Sequence, residues 1–146
     1  DVISIVPTTS HVKGFTMSYS KNDRSLLALQ EIRNRICILL AGRAAEYLYL
    51  GEKEEKITTG CADDLQKAVQ MMKHYLKTST NGISYNHKND NHLPPCFHDD
   101  LQTLSTELWE ETVAICRENW SELSILADSL TEKKWITKDE IEMLFA

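Results

Sequence analysis

Hydrophobic positions alternate at the start of this chain and then recur at helical spacing through most of it. Val2-Ile3-Ser4-Ile5-Val6 is a β-branched run closed by Pro7, which predicts a strand. Residues 12 to 19 alternate roughly between apolar and polar, so the two runs can pair as a hairpin across Thr8 to His11. Leu26, Leu29, Ile32, Arg33, Ile36, Leu39 and Leu40 then step by threes and fours, predicting a long helix from about Arg24 to Leu50. Ser20, Asn22 and Asp23 are its candidate caps, and Gly51 suits its C-terminal end. Late in that helix Ala41-Gly42-Arg43-Ala44-Ala45 is a patch of small residues that lets a second helix approach closely.

A charged turn at Glu52 to Lys56 separates this helix from a second one, entered through Ile57-Thr58-Thr59-Gly60-Cys61-Ala62-Asp63-Asp64. Its apolar face is Leu65, Ala68, Val69, Met72 and Leu76. Its acidic start and its Lys73, His74 and Lys77 end match the helix dipole. Asn-Gly, Pro-Pro and a polar run interrupt the periodicity over 78–98 and predict a loop. A third helix is expected from about Asp99 to Glu118 and a fourth from about Ser121 to Leu130. The capping box Thr137-Lys138-Asp139-Glu140 opens a last short one. The expected fold class is mostly α (α+β), with a small N-terminal β element and a C-terminal helical bundle. The expected division is a subdomain at 1–82, a loop at 83–98 and a helical subdomain at 99–146.

Composition narrows the function classes. Sixteen Lys and Arg against 22 Asp and Glu give a net charge of -6, which argues against a nucleic-acid partner. Cys37, Cys61, Cys96 and Cys116 form no CxxC pair, which favours free thiols in a reducing compartment over a zinc ribbon or a disulfide scaffold. No apolar run approaches the length of a membrane span, and no glycine-rich phosphate loop is present.

Four segments, in order, carry a resemblance: Ile3-Ser4-Ile5-Val6-Pro7 with Gly14-Phe15-Thr16, Ala41-Gly42-Arg43-Ala44-Ala45-Glu46, and Thr58-Thr59-Gly60-Cys61-Ala62-Asp63-Asp64-Leu65. They resemble the peptidase domain of FtsH-type, ATP-dependent zinc metalloproteases, in which a "SIVP" strand follows the zinc helix. A "GGRAAE" helix and a "TTGA-x-NDL" helix start come next. Here Ala41, Cys61 and Asp63 depart from that pattern. The tail, from Glu118-Asn119 through Leu123, Leu126-Ala127 and Leu130 to Glu140-Ile141, follows the family's order more weakly, and the resemblance thins after Gly82.

The resemblance implies a helical peptidase domain that binds zinc. Two histidines of an HExxH helix and one aspartate hold the metal, and the HExxH glutamate is the general base. The matching aspartate is Asp64, with Thr59, Gly60, Cys61 and Asp63 beside it. Histidines four apart share one helical face, a carboxylate adds a third ligand, and water fills the open position. The resemblance also implies an ATPase module, unfolded or membrane-extracted polypeptide substrates, a homohexamer and a membrane anchor. In this chain itself the expectation is a soluble domain of a cytoplasmic, stromal or matrix compartment.

His11, His74, His87, His92 and His98 do not form an HExxH motif. The zinc helix of the family would precede Asp1, so the sequence reads either as part of a working peptidase or as a relative that lost the motif. On its own the chain is expected not to hydrolyse peptides, and no catalytic residue is assigned within it. A non-catalytic scaffold that kept the fold is the competing class. A third is a small metal-binding module, because His87, His92, Cys96 and His98 crowd one loop with Asp99 and Asp100. The alternatives for the Asp63-Asp64 pair and for Cys61 are a plain helix N-terminus and a buried small thiol. Arg43 and Glu46 stand one turn apart and can pair with each other. Trp109, Trp120 and Trp135 are expected at or near helix ends, in packing roles.

Overall fold

In a computed structural model of the chain, the described residues are 2–7, 14–17, 26–80, 82–85 and 93–146. They form β1 (Val2–Ser4), β2 (Phe15–Met17), α1 (Leu29–Tyr49), α2 (Ala62–Thr78), α3 (Pro95–Glu118), α4 (Trp120–Lys133), β3 (Trp135–Thr137) and α5 (Lys138–Leu144). Short 3-10 turns occupy Glu54–Lys56 and Gly82–Tyr85. The mostly helical class with a small β element is therefore observed.

Helix α1 starts several residues later than its apolar spacing suggests. Ala28 is extended, with ψ 151°, and its amide donates to the Glu31 carboxylate at 2.7 Å, which fixes Leu29 as the first helical residue. Leu26 consequently lies outside the apolar stripe and is 85% exposed. The expected caps Ser20, Asn22 and Asp23 lie outside the described residues. At the other end Gly51 adopts φ +70°, which a side chain would resist. The Gly51 amide then reaches the Leu48 carbonyl and the Glu52 amide reaches that of Tyr47, closing the helix as a Schellman motif.

The chain folds as two compact units, one of which is Leu26–Glu118. Its core joins Ile32, Ile36 and Leu40 of α1, Ala68 and Met72 of α2, and Leu104 and Leu108 of α3. The small-residue patch does admit α3: Ala44 is fully buried, and the Cys116 thiol lies 4.0 Å from the Ala41 carbonyl. Arg33 sits in the apolar spacing but serves the rim, pairing with Glu111 at 3.2 Å and Glu107 at 3.7 Å, above the Tyr75 ring. Helix α3 opens at Pro95, four residues before its expected start. Proline is at home in a first turn, and fully buried Phe97 anchors that turn edge-on to Tyr85.

The other unit joins the N-terminal strands to the residues from Asn119 onward. The expected pairing of the first two strands is observed, with Ile3 opposite Thr16, while the connection across Thr8 to His11 lies outside the described residues. Strand β3 was not anticipated; it pairs antiparallel on the other side of β1, giving the order β2-β1-β3. Lys134, at φ +71°, ends α4 and turns the chain into this strand, and Ile136 is fully buried there. The expected capping box is present: the Glu140 amide donates to Thr137 Oγ1 at 3.4 Å, and the Thr137 amide donates to Glu140 Oε2 at 3.0 Å. Of the tryptophans, Trp120 opens α4 and Trp135 opens β3, but Trp109 sits in the middle of α3, edge-on to Tyr47.

Candidate functional site

The segment before α2 has almost no apolar content, so it is not packed into place. Thr58, Thr59 and Gly60 are exposed, and helix α1 holds them through two side chains. The Thr58 amide donates to Glu46 Oε1 at 3.0 Å, and Arg43 Nη1 donates to the Thr58 carbonyl at 3.3 Å. One peptide unit is thus gripped on both its polar atoms. The amide of Thr58 holds the Glu46 carboxyl below its ordinary value, with the Arg43 charge assisting. Arg43 and Glu46 therefore act on Thr58, where spacing alone suggested a pair with each other. The two motifs, separate in sequence, form one hydrogen-bonded unit.

The turn continues into α2. The Gly60 amide lies 3.4 Å from Thr58 Oγ1, the Ala62 amide donates to the Thr59 carbonyl, and Cys61 is the helix N-cap residue without a side-chain cap bond. Asp63 and Asp64 occupy the first turn, where free backbone amides favour a negative charge. The Asp64 side chain is 53% exposed, and Lys67 Nζ approaches its Oδ1 at 3.8 Å. Asp63 is exposed as well, and Cys61 is half-buried. Below this turn a cavity of about 330 Å³ is lined by Leu40, Arg43, Tyr47, Ile57, Leu65 and Trp109.

The donor chemistry defines what the site can hold. Asp64 is an accessible carboxylate on a held turn, suited to one position of a zinc ligand set. No group of three His, Cys, Asp or Glu residues among the described residues could hold a metal ion. The described residues thus do not complete a zinc site on their own.

Of the alternative loop cluster, His87 and His92 lie outside the described residues. Cys96 and His98 fall in the first turn of α3, where Cys96 is exposed. The Tyr85 hydroxyl donates to the Asp100 carboxylate and lies 3.8 Å from Cys96 Sγ. Asp100 pushes the Tyr85 phenol well above its ordinary value. The observed chemistry there is a tie between α3 and the Gly82–Tyr85 turn.

Residues 1–92 match the family model described as Peptidase family M41. The chain belongs to peptidase family M41. Over 148 residues, 98% of the chain, it is 30% identical to the ATP-dependent zinc metalloprotease FtsH 2 of a Thermoanaerobacter species, of which that covers 28%. It is 39% identical over 69 residues to FtsH of Pseudomonas putida, covering 47% of the chain and 11% of the relative. FtsH 4 of Synechocystis is 41% identical over 76 residues, covering 52% of the chain and 12% of the relative. The chain therefore spans between 11% and 28% of the length of these M41 relatives. No helix among the described residues is long and apolar enough to cross a membrane.

Proposed function

We propose that this chain is the part of an M41 zinc peptidase domain that supplies the carboxylate ligand, Asp64, from a turn held by Arg43 and Glu46. The observation that carries the reading is the double hydrogen bond to Thr58, which gives a highly exposed segment a defined path into the Asp64 turn. Zinc, when bound, would polarise a peptide carbonyl and activate water. The chain's own residues would place one ligand, the accessible carboxylate of Asp64. Two histidine ligands and a glutamate base of the HExxH kind must come from outside residues 1–146, because the sequence contains no such motif. In that setting the domain would act on polypeptides in an ATP-dependent manner, as the relatives' names suggest, within the membrane-anchored hexamer with an ATPase module that the family resemblance implies.

By this reading the purified chain neither retains zinc stoichiometrically nor cleaves casein. A version extended with the residues that precede Asp1 in its gene gains both properties if those residues contain HExxH, and Asp64→Ala removes them. Casein cleavage by the unextended chain after zinc addition, lost in Asp64→Ala, would overturn the reading. A preceding segment without HExxH would instead support a non-catalytic scaffold. The loop metal module would show zinc that survives Asp64→Ala and disappears in His92→Ala.

A further inference from the structure

The cavity of about 330 Å³ below the Thr58 turn is bounded by α1, α2, α3 and the 3-10 turn at Glu54–Lys56, all within the Leu26–Glu118 unit. Its floor is aliphatic, from Leu40, Ile57 and Leu65. One wall is aromatic, with the Trp109 ring edge-on to Tyr47 at 5.7 Å between centres. Two opposite charges also line it, Arg43 from α1 and Glu54 from the 3-10 turn. Neither forms an ion pair among the described residues, with the other or with any third group. Arg43 spends one donor, Nη1, on the Thr58 carbonyl, which leaves most of its guanidinium N–H groups unused. A guanidinium receives a carboxylate on two parallel hydrogen bonds, and a carboxylate receives an ammonium. An apolar ligand would desolvate both charges without compensation, and a plain anion would meet Glu54. A zwitterion with a large flat side chain satisfies all three surfaces. The volume lies at the lower end for small-molecule sites, so it suits one such molecule and not a chain.

We propose that this cavity binds a free aromatic α-amino acid, with its carboxylate on Arg43, its ammonium on Glu54 and its ring against Trp109 and the aliphatic floor. Binding needs no metal and does not depend on the role of Asp64. It reaches the Asp64 turn all the same, because the side chain that takes the ligand carboxylate also holds the Thr58 carbonyl. Occupancy gives Arg43 a second anchor and so alters the surroundings of the Thr58 peptide unit.

Titration of the nitrogen-15-labelled chain with L-phenylalanine, followed by proton–nitrogen correlation spectra, decides the matter. The Trp109 indole N–H and the Thr58 amide should shift saturably at about millimolar ligand, the strength open to so small a molecule. The indoles of Trp120 and Trp135, which belong to the other unit, should stay in place. N-acetyl-L-phenylalanine lacks the ammonium and L-phenylalaninamide lacks the carboxylate, and each should bind roughly tenfold more weakly. Glycine, without a ring, should not bind measurably. Glu54 is exposed, so Glu54→Gln should keep the circular dichroism melt of the parent while weakening L-phenylalanine roughly fivefold. The absence of a saturable shift at Trp109, equal movement of all three indoles, equal binding of the blocked analogues, or indifference to Glu54→Gln would each overturn the proposal.

Discussion

Two neighbouring parts of the Leu26–Glu118 unit are held by different physics. The seam of α1, α2 and α3 is made of Ile36, Leu40, Met72 and Leu108, which hide from water and have no polar partners to choose. The segment from Glu52 to Asp64 is exposed almost throughout, and its path is set at Thr58, whose carbonyl accepts from Arg43 and whose amide donates to Glu46. Burial is non-directional and scales with area, so many sequences satisfy it. A bidentate grip on one peptide unit depends on two particular side chains at a particular spacing. Stability should therefore follow the first region and the position of Asp64 the second.

The sharpest separation comes from Leu108→Ala. Leu108 is fully buried, and its truncation leaves a void between three helices. The expected loss is about 3 kcal/mol in urea unfolding, with the zinc affinity of an extended, HExxH-bearing chain unchanged at temperatures where the variant is folded. A loss under about 1 kcal/mol would mean that the seam is not the main source of stability.

A smaller effect is expected from Gly82→Ala. A Cβ there would collide with the Lys77 carbonyl and lie 2.6 Å from that of Leu76. The close approach lets the Gly82–Tyr85 turn fold back against the end of α2, so backbone would have to move. The expected cost is about 2 kcal/mol. The same unfolding measurement checks it, and a neutral result would show that this turn yields easily.

The first region was largely legible in the sequence, because apolar residues at steps of three and four report a buried face directly. Its errors sit where another force intervened. Leu26 fits the period but precedes the Ala28 cap, and Arg33 fits it because a long side chain can lie along a rim and put its charge on Glu107 and Glu111. Strand β3 is only three residues long and carries no alternation to read; it exists because β1 offers it a free edge. The second region was legible only as motif. Nothing in the periodicity shows that Arg43 and Glu46 reach Thr58. That they stand on one face of a helix, one turn apart, just before a charged turn, was the available signal. A carboxylate three residues from an arginine reads equally well as a simple pair, so tertiary partners could not be told from local ones.

The same carboxylate-to-amide device occurs in the other unit, where it can be tested by pH. Lys133, together with the Thr137 amide, lowers the Glu140 carboxyl from 4.5 to about 2. A folded-state value below the unfolded one means that the ionised form supports the fold. Its contribution is present above about pH 4.5 and is lost as pH falls towards 2. Glu140→Gln should therefore melt below the parent at pH 6, and the difference should shrink between pH 4.5 and 2. Parallel melting curves across that range would remove the capping carboxylate from the list of supports.

The smallest effect on stability, and the most informative for the comparison, is expected of Glu46→Ala. Its carboxylate is exposed, so its removal leaves the Ile36 and Leu108 seam intact and the unfolding midpoint nearly unchanged. What changes is local. The Thr58 amide loses its acceptor, and Arg43 alone cannot fix the peptide unit from the carbonyl side. Hydrogen exchange over residues 57–61 should quicken by roughly tenfold while the core of α1 and α3 exchanges as before. Glu46→Gln keeps an oxygen acceptor and should restore most of the protection, which separates the hydrogen bond from the charge. If exchange in this segment is already fast in the parent, the grip on Thr58 is not what directs the chain into the Asp64 turn, and the contrast between the two regions loses its basis.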